Sequence, residues 1–280
     1  MTRVAVTGGS GKAGRATVRD LMDHGYEVTN LDRVESSDPL APLVVVDLTD
    51  PEETREALAG HDMVVHLAAI PTPRGQFDEP TFRNNIMSTY NVLGLAAELG
   101  MERIVWASSE TVLGLPFDSV RPPYAPLDEA WPQHPETGYA LAKAASELMA
   151  EHISRWTGIP IVGLRFSNVM EPQRYQQFPE FWQDPHARKW NLWGYVDARD
   201  VAQACRLGLE ADVTGAEVFI IAAADTVMNR PNAELMVVAF PDVPLKEGTG
   251  EFDTLLSIAK ARRMLGYRPQ WSWRDHVDAR

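Results

Sequence analysis

A single cysteine, Cys205, stands among 280 residues, which excludes an internal disulfide and a thiolate metal cluster. Positive charge is scarce. Lys and Arg number 26 against 39 Asp and Glu, a net charge of −13, so neither nucleic acid nor an anionic membrane surface is an expected partner. No apolar run reaches the ~18 residues that a membrane-spanning helix needs, and the first residues read as a strand instead of a signal-peptide core. The seven histidines and many acids show no HExxH or comparable spacing, so no metal is expected. Repeats, low-complexity tracts and flexible linkers are missing as well. These exclusions leave a soluble globular chain, 45% hydrophobic and 23% charged, with the cytoplasm as its expected compartment. It is long enough for one large domain or a domain plus a lobe.

What is present begins at once. The β-branched run Arg3-Val-Ala-Val-Thr7 turns through Gly8-Gly-Ser-Gly-Lys-Ala-Gly14 into a helix with Ala13, Ala16 and Leu21 on one side. A glycine loop opening a helix is an anion site, because free N–H groups and the helix dipole both face the loop. Gly8 permits the sharp turn, Gly11 lets the backbone approach a pyrophosphate, and Gly14 allows helix and strand to pack closely. Ser10, Lys12 and Ala13 add donors at the helix mouth. Gly9, Gly11 and Gly14 satisfy G-x-G-x-x-G. A plain turn is the alternative for such a cluster, and the next unit decides between them. Tyr26–Leu31 reads as a second strand ending at Asp32, an acid placed to accept hydrogen bonds from an adenosine ribose. A carboxylate there repels a 2′-phosphate, so NAD is expected over NADP; Arg33 and Lys12 blunt that preference.

Strand and helix patterns then alternate, which predicts a doubly wound parallel sheet. Leu43–Asp47, Met63–Ala69, Arg103–Ser109, Ile159–Phe166 and Ala216–Ala223 read as strands. Asp50-Pro51-Glu52 starts a helix with an N-cap and a first-turn proline. Further helices are expected over Glu79–Leu99, over a segment carrying Tyr139, Lys143, Leu148 and Trp156, within Gly194–Glu210, and over Phe252–Leu265. Pro71–Gln76 reads as a loop just past a strand's C-terminal end, where ligands meet such sheets. Residues 112–135 are proline-rich and irregular. The expected division is a nucleotide-binding domain over 1–166, rejoined by 194–223, with 167–193 and 224–280 forming a small C-terminal substrate lobe.

Tyr139-Ala-Leu-Ala-Lys143 places a phenol and an ammonium on one helix face. The positive charge favours phenolate and so predicts proton exchange at moderate pH. Taken alone the pair also fits a solvated helix face. Ser109, at the end of an apolar strand, is placed to hold a substrate oxygen, and Asn85 to anchor a proton-relaying water. His66, in a buried-type strand, reads as a core residue. Trp182, Trp190 and Trp193 either line a sugar pocket or pack the lobe.

With TGGSGKAG, Asp32, Asp47-Leu48, HLAA at 66–69, Asn85, ASSETVLG at 107–114, YALAK, LRFSNV at 164–169 and GYVDARDVA at 194–202, the chain resembles the extended short-chain dehydrogenases/reductases. These are the NAD-dependent epimerases, dehydratases and sugar dehydrogenases. The resemblance implies a Rossmann-type α/β fold and NAD as cofactor. By it, Gly8, Gly11, Lys12, Ala13, Gly14, Asp32, Asp47, Leu48 and Ala68 contact the cofactor. It makes Ser109, Tyr139 and Lys143 the catalytic set, supported by Asn85, with Tyr139 as base and Lys143 also on the ribose. It also implies a homodimer paired through the helices at 79–99 and 138–157, on apolar positions such as Leu95, Leu148 and Ile153.

Nucleotide-sugar members of that family insert a long segment between positions matched here by Asn168 and Tyr195, which stand only 27 apart. That brevity suggests a small substrate. Together with Glu171-Pro172 and Arg174, it is similar to uronate dehydrogenases, in which case Asn168 and Arg174 contact the substrate and Arg174 clamps a carboxylate. Those enzymes carry Asn-His after the serine, where this chain has Glu110-Thr111. The expected activity is NAD-dependent oxidation of a small sugar, sugar acid or related hydroxy compound. The alternatives are a nucleotide-sugar epimerase or dehydratase with tightly bound NAD, and a catalytically silent NAD-binding sensor.

Overall fold

Strands that are buried at every position, such as Ile161–Phe166, need cover on both faces, and the chain builds that arrangement. The computed structural model describes residues 1–36, 39–71 and 76–277. In chain order its elements are β1 (Arg3–Thr7), α1 (Lys12–Asp23), β2 (Glu27–Asp32), β3 (Leu43–Val45), α2 (Pro51–Leu58), β4 (Met63–His66), α3 (Glu79–Glu98), β5 (Arg103–Ser109), α4 (Gly138–Thr157), β6 (Ile161–Phe166), β7 (Val169–Met170), β8 (Val196–Asp197), α5 (Ala198–Glu210), β9 (Ala216–Ile221), α6 (Asn232–Ala239) and α7 (Ala259–Leu265).

Seven strands form one parallel sheet in the order β3-β2-β1-β4-β5-β6-β9. α1 packs on α5, while α3 packs on α4 with α2 beside it. The strand order reverses between β1 and β4, which opens a crevice at their C-terminal ends. Short β7 and β8 pair separately and sit with a run of 3₁₀ turns over Pro172–Phe181. Tyr175, Phe178, Trp193, Tyr195 and Trp273 are buried there, in the same apolar cluster as Val4 and Val105 of the sheet. Among the described residues no helix is long and apolar enough to cross a membrane.

Local signals explain most boundaries. Asp50 Oδ1 accepts from the N–H groups of Glu52 and Glu53, and Pro51 fills the first helical position of α2. Asp78 caps α3 through Thr81 N–H. Thr137 caps α4 through Ala140 N–H, and Gly158 closes that helix at φ +79°.

Several expectations need correction. β4 stops at His66, because Leu67 and Ala68 bend under the glycine loop, where Ala68 N–H donates to Thr7 Oγ1. The helix expected over Phe252–Leu265 spans only Ala259–Leu265. Its first half is a run of turns and isolated bridges, since Thr254 N–H donates to the Ala224 carbonyl and Leu127 N–H to that of Leu255. α6 had no expectation; exposed Val237 and Val238 beside buried Leu235 and Met236 leave it without a helical apolar stripe. Leu95 and Ile153 are buried between α3, α4 and the sheet, so of the three positions named for a dimer face only Leu148 is exposed. Of the loop at 71–76, residues 72–75 lie outside the described residues.

Candidate active site

α1 starts differently from its neighbours. The residue before it is Gly11, which has no side chain to cap the helix. The N–H groups of Lys12, Ala13 and Gly14 have no helical acceptors, and these residues line a cavity of about 1040 Å³ at the strand ends. The loop tolerates no side chain at its tightest point. A Cβ on Gly14 would stand 2.0 Å from the Gly8 carbonyl oxygen, and one on Gly8 (φ +70°) would stand 2.7 Å from Ala68 N.

Asp32 lines the same cavity at the end of β2. Its Oδ2 accepts from Ser10 N–H at 3.0 Å and its Oδ1 from Arg33 N–H at 2.7 Å, which ties it to the glycine loop. Leu48 and Ala68 also line the cavity, with Gly8, Gly11 and Lys12. Asp47 does not. Its carboxylate turns to Arg33, which holds it down to about 2, and accepts from Thr49. An uncapped helix mouth, a side-chain-free loop and a carboxylate on β2 together fit a dinucleotide: phosphates on the N–H groups, ribose on Asp32.

The other end of the cavity collects the chemical residues. Ser109 ends β5, while Tyr139 and Lys143 project from the first turns of α4, and all three line the cavity. Tyr139 is hydrogen-bonded to Ser109, whose Oγ also accepts from Thr111 Oγ1 at 2.9 Å. Lys143 is 2% exposed and donates to the Ala107 carbonyl at 2.6 Å. Burial pushes its ammonium down to about 8, against the charge of Glu147. Glu147 is itself buried and paired with Arg165 at 2.7 Å.

The expected easing of Tyr139 ionisation needs revision. Burial pushes the phenol up, the charge of Glu110 adds to that, and the Ser109 hydrogen bond opposes it. The Lys143 ammonium stands 6.0 Å from the tyrosine ring centroid and is engaged by a carbonyl.

Two expected residues lie elsewhere. Asn85 is buried outside the cavity lining, and its amide clamps the loop after β4. Its Oδ1 accepts from Ile70 N–H at 2.8 Å and its Nδ2 donates to the Ile70 carbonyl at 3.0 Å. Arg174 is exposed outside the lining. Asn168 does line the cavity. Of the three tryptophans only Trp190 does; Trp182 packs on Trp273, and Trp193 donates to the Pro185 carbonyl. His66 is a core residue, hydrogen-bonded to Thr7 and Thr89, with burial holding it down to about 3. Among the described residues no three potential ligands gather for a metal.

Sequence reasoning missed Ser167, Asn191 and Arg188, which surround the buried carboxyl of Glu110. Their only signal was polar residues inside otherwise apolar stretches.

The description "NAD dependent epimerase/dehydratase family" matches residues 4–222. The chain belongs to this family. Among its relatives is an L-arabinose 1-dehydrogenase (NAD(P)(+)) of Haloferax volcanii, 27% identical over 96% of this chain and 97% of that one. A dTDP-glucose 4,6-dehydratase of Streptomyces niveus is 30% identical over 98% and 90%. The structure of a Thermus thermophilus UDP-glucose 4-epimerase complex with NAD superposes with a TM-score of 0.69 at 26% identity, covering 97% of this chain and 95% of that one. This member of the epimerase/dehydratase family is an NAD-dependent enzyme of the extended short-chain dehydrogenase/reductase type.

Proposed function

We propose that the enzyme oxidises a hydroxyl of a small sugar, sugar acid or related hydroxy compound. The observation that carries this reading is the convergence of Ser109, Tyr139 and Lys143 on the cavity whose far end is the glycine loop. Bound there, NAD supplies the hydride acceptor. Tyr139, reacting as the phenolate, takes the proton of the substrate hydroxyl, and Ser109, aligned by Thr111, holds the oxygen. Lys143 would hold the cofactor ribose and place positive charge near the phenol. The segments 167–193 and 224–280 act as the substrate lobe over the NAD-binding domain. The short 168–195 connection supports a substrate without a nucleotide.

A panel of aldoses, polyols, uronates and nucleotide sugars, followed at the NADH absorbance band, tests this. Net NADH formation is expected with a small sugar. Tyr139→Phe should lower its rate by ~10²–10⁴ while NAD affinity stays within about twofold. Rates near wild type would assign the proton to another group. The dehydratase and epimerase relatives favour one second reading: a nucleotide-sugar reaction in which the cofactor is regenerated and no NADH accumulates.

The reading includes a cytoplasmic homodimer. Tyr90 on α3 and Leu141, Leu148 and Trp156 on α4 are exposed, Trp156 at 68%, and these two packed helices offer one apolar face for a two-fold partner. Light scattering at micromolar concentration should give twice the chain mass; Leu148→Asp with Trp156→Glu should give one.

A further inference from the structure

The substrate end of the cavity holds a charge that the reaction itself does not use. Glu110 follows Ser109, is 3% exposed and lines the cavity with Ser167, Asn168 and Trp190. Ser167 Oγ donates to its Oε2 at 2.6 Å, and Asn191 Nδ2 donates to its Oε1 at 3.2 Å. The titratable groups facing it are Tyr139 on α4 and Arg188 on the segment before β8. Arg188 stays outside the lining, donating to the Gly194 carbonyl at 3.1 Å and lying over the Phe181 and Trp190 rings. Among the described residues, the cations that do line the cavity are Lys12 and Arg33 at the nucleotide end, and Lys143, tied to Ala107. Each already has an acceptor in the protein, Lys12 the Val169 carbonyl, Arg33 the Asp47 carboxylate and Lys143 the Ala107 carbonyl, so an anion at the substrate end would have to displace one of these contacts.

We propose that Glu110 is a specificity-determining residue that admits uncharged polyhydroxy compounds, such as neutral aldoses, and turns away sugar acids and nucleotide diphosphates. The inference rests on the dehydrogenase reading above and narrows its substrate class. A buried charge acts over several ångströms because little water screens it. A carboxylate or pyrophosphate entering beside Glu110 gives up its hydration and gains repulsion in return, which is discrimination by an unfavourable contact. A neutral hydroxyl meets no such penalty.

The filter has a pH signature. Burial pushes Glu110 up to about 7, with the hydrogen bonds from Ser167 and Asn191 opposing. Below that pH the carboxyl is protonated and the lining at this end carries no negative charge. Above it the carboxylate is present. A uronate stays ionised throughout, so discrimination against it grows as pH rises. Tyr139 stays neutral in this window. Lys143, pushed down to about 8, begins to lose charge at its upper edge, and the Glu110 variant isolates that contribution.

The test measures binding of D-galactose and D-galacturonate to the NADH-loaded enzyme by calorimetry, at pH about 6 and about 7.5. Wild type should prefer galactose by about tenfold at the higher pH and by less than about threefold at the lower. Glu110→Gln should show a small gap that hardly moves between the two. Taking the ratio within each protein cancels general damage. The Asn191 Oδ1, buried without a partner, can accept the new amide after a flip. A wild-type preference for galacturonate at pH 7.5, a gap unchanged in Glu110→Gln, or binding of neither sugar overturns the proposal. If the pH-dependent gap appears but no sugar yields NADH, the dehydrogenase reading fails and the filter stands. Turnover with a gap indifferent to Glu110 does the reverse.

Discussion

The two ends of the cavity are built on different principles. At the nucleotide end, recognition lies in backbone: a strand, a turn stripped of side chains and the uncapped start of α1. Among the described residues, Asp32 is the one carboxylate that lines this end, and it is tied back to the loop by Ser10 N–H. At the substrate end the backbone is irregular. Leu192 and Trp193 hold positive φ of 51° and 55°, a conformation that costs side-chain-bearing residues of order 1 kcal/mol or more each. Side-chain clamps over-determine it: Arg188 and Asn191 donate to the Gly194 carbonyl, and Trp193 to that of Pro185. Backbone recognition suits a ligand that does not change. Side-chain clamps let selectivity vary without disturbing the sheet.

The comparison can be broken most severely at Gly14. Its Cβ would stand 2.0 Å from the Gly8 oxygen and 2.6 Å from Gly9 Cα, both backbone atoms that cannot rotate away. Gly14→Val should therefore displace the loop and weaken NAD binding by at least ~100-fold, about 2.7 kcal/mol, as read by quenching of protein fluorescence on titration. Affinity within a few-fold of wild type would mean that the loop is not the phosphate cradle. Next in size is Asp32→Ala. Removing a carboxylate that favours ribose hydroxyls and repels a 2′-phosphate should narrow the NAD over NADP ratio by about tenfold, ~1.4 kcal/mol. Direct titration with both nucleotides checks it. A ratio that does not move would shift the discrimination to Arg33, which is engaged by Asp47 at the same rim.

The same division governs how much was legible in the sequence. Strand periodicity, glycine spacing and caps are local signals, so β1, β5, α2 and α4 fall within a residue or two of expectation. Gly8, Gly11, Gly14, Asp32, Ser109, Tyr139 and Lys143 all reach one cavity. Asp47 and Asn85 stand outside the cavity lining because their side chains are engaged by partners that no spacing announces, Arg33 and the Ile70 backbone. The stretch 252–257 was misread for a similar reason. Its backbone groups are taken by Ala224 and Leu127, distant in sequence, and tertiary pairing overrides local propensity. Glu110 lay in view as a polar residue after an apolar strand. Its charge environment came from Ser167, Arg188 and Asn191, which only the fold brings together.

The smallest predicted effect sharpens the contrast by leaving the nucleotide end untouched. Tyr195 is fully buried just before β8, where its hydroxyl donates to Asp225 Oδ1 at 2.6 Å and accepts from Trp273 N–H at 3.2 Å. Asp225 Oδ2 is held separately by Ser272 Oγ at 2.8 Å and Arg274 Nε at 3.0 Å. Tyr195→Phe keeps the ring packed against Tyr175 and Phe178 but strips one carboxylate oxygen and one backbone N–H of their partner. A buried polar group left unsatisfied costs ~1–3 kcal/mol, and at roughly 2–4 °C per kcal/mol for a chain of this order, the melting temperature should fall by several degrees. The residual carboxylate remains paired with Arg274, so global unfolding is not expected. NAD affinity should stay within about twofold, because Tyr195, Asp225 and Trp273 lie outside the cavity lining. Affinity for a sugar should weaken, since β8 and the 188–194 turn lose the anchor that ties them to the C-terminal segment. A fall in NAD affinity equal to that for the sugar would show the two ends to be one mechanical unit.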